Sequence, residues 1–151
     1  MRTLFDVQIA AAAREATIRE AVQSIQRQSV TDIAIHIVDD GSTDGTPAIL
    51  AEMAAADPRL KIHRQANGGI VDALNAGLDH CTGEFVARHD ADDLAYPNRF
   101  AAQLAYLLAH SGVSAVGAAV RHIDGKGQAT GSFARLESPD KADPFYVPSR
   151  E

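Results

Sequence analysis

Apolar residues in this chain alternate between short continuous runs and helically spaced stripes, and the alternation predicts the elements. Leu4 to Ala10 reads as a first strand. Between Glu15 and Gln28, Ile18, Ala21, Val22 and Ile25 fall at i, i+3, i+4 and i+7, one face of a helix. Ile33 to Val38 is apolar at every position but His36, the pattern of a strand covered on both faces. Thr46 to Ala56 reads as a helix, with Ser42 or Asp44 as its cap, Pro47 in its first turn and Pro58 closing it. A short strand at Leu60 to Arg64 follows, then a helix over Gly69 to His80 with Val71, Leu74 and Leu78 spaced by three and four. Thr82-Gly83 stops it, and Phe85 to His89 reads as the next strand. Pro97 to Ala109 reads as a helix with Phe100, Leu104, Leu107 and Leu108 inward. Ser114 to Ile123 and Gln128 to Phe133 read as strands joined by the turn Asp124-Gly125-Lys126-Gly127. Such alternation predicts an α/β fold, a mostly parallel sheet with helices on both faces in three layers. Beyond residue 133 no period survives, and residues 134–151 read as a loop or tail.

At 151 residues the chain has room for one compact domain. Its net charge of −6, with no Trp and few aromatics, removes both the electrostatic drive and the stacking platform that nucleic acids need. A single cysteine, Cys81, excludes an internal disulfide framework and fits a reducing compartment. No stretch approaches the ~20 apolar residues of a membrane span, and Asp6 and Gln8 break any signal-peptide core. The expectation is a cytoplasmic protein, with peripheral membrane association left open.

Two acidic clusters stand out by position. Asp39-Asp40-Gly41-Ser42-Thr43-Asp44-Gly45 follows the strand ending at Val38, and Asp90-Ala91-Asp92-Asp93 follows the strand ending at His89. In an open parallel sheet, ligands bind beyond the carboxyl ends of the strands. Gathered carboxylates repel and raise one another's pKa, and a divalent cation relieves the repulsion. Asp-x-Asp oxygens suit Mg²⁺ or Mn²⁺, which complete their coordination with substrate phosphate. The pattern therefore points to a metal-bound phosphate ester.

Competing readings are plainer. Asp-Gly pairs are common turn formers, and Asp44 serves equally as a helix cap. There is no Walker A run and no G-x-G-x-x-G. His36 reads as a core histidine and His89 as structural, while Cys81 lacks the partners of a nucleophile. Asn67-Gly68-Gly69 before a helix is a plain turn or an anion-facing set of amides. Arg99 reads as a partner for a nearby carboxylate.

Taken together, Ile37-Val38-Asp39-Asp40-Gly41-Ser42-Thr43-Asp44-Gly45-Thr46, Asn67-Gly68-Gly69, Ala73-Leu74-Asn75-Ala76-Gly77, Thr82-Gly83-Glu84-Phe85, Asp90-Ala91-Asp92-Asp93 and Pro97-x-Arg99 resemble, in order and spacing, the inverting family 2 glycosyltransferases of GT-A fold. The resemblance covers roughly residues 4 to 133. It implies a GT-A nucleotide-sugar-binding domain over 1–133, a nucleotide-diphosphate-sugar donor and Mn²⁺ or Mg²⁺. It also implies Asp39 on the nucleobase, Asn67 and Gly69 lining the nucleotide site, Asp90 against the ribose or donor sugar and as a second metal ligand, and Asp92 as the principal metal ligand. Asp93 would shape the loop. The acceptor would be a saccharide, a lipid-linked sugar or a protein, as in cell-surface polysaccharide synthesis. Where the family carries Pro-x-Tyr-Asn at the end of its first strand, this chain has Ala10 to Ala13. The family's general base lies well after the metal motif, so the chain reads as a fragment cut off before its acceptor part, with no catalytic residue assigned. Phe145, Tyr146 and Val147, if left unpacked, would favour homo-oligomers. The alternatives are a nucleotide-sugar-binding module without turnover and a Mg²⁺-dependent phosphatase of haloacid-dehalogenase type.

Overall fold

A computed structural model describes residues 3–134, with side chains to Gly131. The chain divides after Phe100 into two compact units. The first holds strands β1 (Phe5–Ala11), β2 (Ile33–Asp40), β3 (Leu60–Gln65) and β4 (Phe85–Asp90), and helices α1 (Ile18–Gln26), α2 (Thr46–Ala56) and α3 (Ile70–Asp79). All four strands run parallel in the order β3-β2-β1-β4. Right-handed crossovers carry α1 and α2 over one face on the way out to β3, and α3 over the opposite face on the return to β4. This is the three-layer α/β arrangement the sequence predicts.

Side-chain parity separates the two faces. Phe5, Val7 and Ile9 of β1 are in register with Ile33, Ile35 and Ile37 of β2, and all six are buried. They meet the buried stripe Ile18, Ala21, Val22 and Ile25 that the helical spacing picks out. Phe100 stacks on Phe5 at 5.2 Å and closes this core from the side.

On the other face the chain departs from expectation. Val71 and Leu78 are exposed, and α3 buries Ala73 and Gly77 instead. The reason is close approach. A Cβ on Gly77 would lie 2.7 Å from Gln8 Nε2, and Gln8 reaches the Leu74 carbonyl. Small residues let the helix backbone sit on a sheet face that is polar: Asp6, Gln8 and His36.

Strands β2 and β4 each run further than the apolar runs indicate, through Asp40 and Asp90. The ladder with β1 continues through Ala11 opposite Asp39 and Ala10 opposite Asp90. The first aspartates of both clusters are therefore strand residues of fixed orientation. Helix α2 begins from Gly45 as N-cap residue, so neither Ser42 nor Asp44 occupies that position.

Residues from Ala101 form the second unit. It contains most of helix α4 (Arg99–Ala109), where Leu108 is exposed, contrary to the inward stripe. Strands β5 (Val120–Ile123) and β6 (Ala129–Ala134) form the expected antiparallel hairpin. Its turn is held by Asp124 Oδ1, which accepts the Lys126 and Gln128 N–H groups. Residues 114–119 were expected as strand, but the strand begins only at Val120. The expected tail beyond Ala134, with Phe145, Tyr146 and Val147, lies outside the described residues. Among the described residues no helix is long and apolar enough to cross a membrane.

The polar face of the sheet carries a run of histidines. His63 stacks on His80 with centroids 3.6 Å apart, and His36 Nδ1 lies 3.2 Å from His63 Nε2. His36 Nε2 is 3.5 Å from Asp6 Oδ1. Burial lowers the pKa of His36, only partly offset by Asp6. Burial, then the neighbouring His80 and His36, lowers that of His63. Burial would raise Asp6, but the Gly83 and Thr82 amides and the Thr3 hydroxyl outweigh it. The folded chain thus takes up protons on His36 and His63 less readily than the unfolded chain. Stability should be full above pH ~6.5 and fall as pH drops below it. Urea unfolding at pH 8 and 5.5 checks this: the midpoint should fall at pH 5.5, and by less in His63→Gln. An equal fall in both proteins would show that His63 contributes nothing.

Candidate functional site

Four loops meet at the carboxyl edge of the sheet, and the Asp-Gly-Ser-Thr-Asp-Gly run joins two of them. Ser42 Oγ accepts the Ala13 N–H at 3.0 Å, Thr46 Oγ1 accepts the Arg14 N–H at 2.8 Å, and Asp44 Oδ2 accepts the Glu15 N–H at 3.2 Å. In return Glu15 accepts the Gly45 N–H. The Ser42 hydroxyl and Asp44 carboxylate expected to cap α2 are thus spent on the β1–α1 loop, although Asp44 Oδ1 also accepts the Thr46 N–H at 3.0 Å. From the other side, Thr17 Oγ1 donates to the Ala91 carbonyl at 3.1 Å.

Asp40 fixes the third loop. Its Oδ1 accepts Gly68 N–H and Gln65 Nε2, both at 2.8 Å, and its Oδ2 accepts Gly69 N–H at 2.9 Å. The Gly68 amide is the largest cause of a carboxyl pKa below the ordinary value. Gly41, at φ 71°, makes the close approach possible, because a Cβ there would lie 2.7 Å from Asn67 N.

Asp39 and Asp40 alternate across the strand. Asp39 is buried; its Oδ1 accepts the Ser42 N–H at 3.0 Å and its Oδ2 lies 3.4 Å from Arg64 Nε. The same arginine donates to the Ser42 carbonyl at 3.1 Å.

A cleft of about 390 Å³ opens between these loops. Asn67, Gly69, Asp90 and Asp92, all singled out in the sequence, line it together with Ala10 to Ala12. Asp40 lines it as well, whereas Asp39 is not part of its wall. Arg14, Arg88, Ile70 and Ala73 complete most of the lining and were not anticipated. Arg88 was legible: two positions before Asp90 on one strand, it must share that residue's face. Arg14 lies on a loop and had no such signal.

Asp90 and Asp92 are about half exposed. Arg88 Nη2 lies 2.7 Å from Asp90 Oδ1, and Arg14 Nε lies 3.6 Å from Asp92 Oδ2. Asp93 N–H donates to the Asp90 carbonyl at 3.2 Å, closing the turn that presents both acids. Behind it sits His89, buried and with its pKa pushed down to about 4, chiefly by burial. Arg99 Nη1 is 3.1 Å from His89 Nδ1, and a guanidinium has only protons to give, so Nδ1 accepts. The ring proton then sits on Nε2 and is donated to the Asp93 carbonyl at 3.1 Å. His89 is a structural pin, as expected. Arg99 donates to that ring and to the Arg88 carbonyl at 2.9 Å.

Among the described residues, no three His, Cys, Asp or Glu side chains converge as a metal cage. What the cleft offers an ion is two half-exposed carboxylates.

A model of the family described as glycosyl transferase family 2 matches residues 6–145. The amylovoran biosynthesis glycosyltransferase AmsE of Erwinia amylovora is 34% identical over 112 residues, 74% of this chain and 42% of that protein. The S. aureus TarS 1–349 structure in complex with UDP superposes with a TM-score of 0.65 at 28% identity, over 78% of this chain and 38% of that one. The mannosyltransferase PcManGT from Pyrobaculum calidifontis, in complex with GDP-Man and Mn²⁺, gives 0.63 at 30% identity, over 82% of this chain and 36% of that one. The chain thus spans about two fifths of the length of these three proteins.

Ala13, at the position of the Asn in the Pro-x-Tyr-Asn segment, has φ 51°. An L-residue pays for this region, Asn less than most and Gly least. Ala13→Gly and Ala13→Asn should each stabilise the fold, Gly by roughly 1 kcal/mol, read as a rise in thermal unfolding midpoint. A fall in both would contradict the strained backbone.

Proposed function

Because the chain belongs to glycosyl transferase family 2, we propose that it is the donor-binding part of an enzyme that moves a sugar from a nucleotide-diphosphate-sugar to an acceptor hydroxyl. One observation carries the reading. The cleft at the carboxyl edge of the parallel sheet brings Ala10 to Ala12, Asn67, Gly69, Asp90 and Asp92 to one ligand-sized space. The UDP, UDP-GlcNAc and GDP-Man in complexes of the matched structures support a donor of this class.

The nucleoside lies between the backbone of Ala10 to Ala12 and the Asn67–Gly69 turn. Asp40 holds that turn through the Gly68 and Gly69 amides and, with Gln65 also donating to it, keeps about one lone-pair site of its carboxylate free for the base. Asp39 then acts from behind, holding Ser42 and Arg64 in place. The diphosphate lies toward Asp90 and Asp92. These two acids fit Mg²⁺ or Mn²⁺ in donor chemistry: hard oxygens, half exposed, too few to cage an ion without phosphate oxygens and water. When bound, such an ion offsets charge on the diphosphate. The Mn²⁺ in the PcManGT complex is compatible with this fit.

In the transfer, the acceptor oxygen bonds to the anomeric carbon, and the carbon–oxygen bond to the diphosphate breaks with its electron pair remaining on the diphosphate. The hydroxyl proton passes to a base. We place base and acceptor site in the part of the relatives that this chain does not span. AmsE, named for amylovoran biosynthesis, supports a polysaccharide acceptor, and the unpaired Cys81 supports a reducing, cytoplasmic setting. A phosphatase of haloacid-dehalogenase type is not favoured. Its nucleophilic Asp follows the first strand, and here Ala11 and Ala12 occupy that place.

Calorimetric titration of the chain with UDP and GDP, with and without Mn²⁺, tests the proposal. One nucleotide should bind more tightly with Mn²⁺. Asp92→Ala should lose roughly tenfold or more of that metal-dependent gain, the scale of one charged contact. Metal-dependent binding undiminished in Asp92→Ala would refute the assignment of Asp92.

A further inference from the structure

The two acids in the cleft are already answered by positive charge. Arg88 faces Asp90 from the same strand, and Arg14 faces Asp92 from the β1–α1 loop. Neither pair has the marks of a structural ion pair. All four side chains are roughly half exposed, and pairs of that kind add little to stability. The Arg14 backbone is pinned by Thr46, which leaves its side chain to extend over the cleft. Both guanidinium groups have only protons to offer.

From this arrangement we infer a counter-charge exchange, and it rests on the donor-site reading above. Without ligand, Arg14 and Arg88 neutralise Asp92 and Asp90. When a dication takes the two carboxylates, the guanidinium groups lose their partners and turn to the diphosphate brought in beside the ion. Charge balance favours it. The dication cancels the two carboxylates, leaving the diphosphate charge for the two arginines. That charge grows by one unit when the bond to the sugar breaks and the pair stays on phosphate. Planar guanidinium forks match phosphate oxygens. Arg14 and Arg88 are accordingly phosphate-positioning residues, each competing with the metal and assisting the nucleotide.

These opposed roles give a test in which the two binding constants move in opposite directions. The full chain and its Arg88→Ala, Arg88→Lys and Arg14→Ala variants are titrated with MnCl₂ alone, followed by electron paramagnetic resonance of free Mn²⁺. They are then titrated with UDP and GDP at saturating Mn²⁺. Each alanine variant should bind Mn²⁺ alone several-fold more tightly and the nucleotide about tenfold more weakly. Arg88→Lys, which keeps the charge and loses the fork, should stay near wild type for Mn²⁺ and fall between for the nucleotide. If the wild-type chain binds the nucleotide and the alanine variants leave both constants unchanged, or weaken both together, the exchange is refuted while the donor site stands. If the wild-type chain binds neither nucleotide, the donor-site reading fails and the exchange falls with it.

Discussion

Carboxylates do not gather at one edge of a sheet unless something holds them there. In this chain Asp39, Asp40, Asp90 and Asp92 sit at or just past the ends of two parallel strands, and each is compensated differently. Asp40 is buried under the amides of Gly68 and Gly69. Asp39 is buried against the Ser42 amide and Arg64. Asp90 and Asp92 stay half exposed and face half-exposed guanidinium groups instead of fixed amides. Acids with fixed amide partners shape the loops, and the two acids paired with half-exposed guanidinium groups are the ones open to an ion.

That division explains how the chain tolerates four alanines at the end of its first strand. The shape of the segment is imposed from outside, because Ser42, Thr46 and Asp44 take the N–H groups of Ala13, Arg14 and Glu15. Thr17 and Ala91 tie the same loop to the acidic turn. Backbone walls of this kind need no particular side chain at Ala10 to Ala12, although Ala13 bears the strain of a positive φ. The run Gly41 to Thr46, whose residue types resemble a turn with a helix cap, is in physical terms the template for the neighbouring loop.

Much of this was legible in the chain itself. The stripe Ile18, Ala21, Val22, Ile25 packs as its spacing requires, and the bounds of α2 agree because Pro47 and Pro58 bracket it. Helix α3 was misjudged in facing, since apolar spacing cannot announce that Ala73 and Gly77 give a close contact worth more than burying Val71. The ends of β2 and β4 were missed because a strand held by its neighbours' ladder continues past its last apolar residue. Strand parity, once those ends are known, separates Asp40 from Asp39 and puts Arg88 beside Asp90. Nothing local could place Arg14, whose position depends on a hydrogen bond to Thr46, 32 residues away.

The central claim is that separate strand-end acids and backbone loops form one nucleotide-diphosphate cleft. A crystal structure grown with Mn²⁺ and the nucleotide that binds, read by manganese anomalous scattering, addresses it most directly. The account predicts an anomalous peak beside Asp92 and Asp90, with the base between Ala10 to Ala12 and the Asn67–Gly69 turn. A peak elsewhere, or a nucleotide bound outside the cleft, would contradict it.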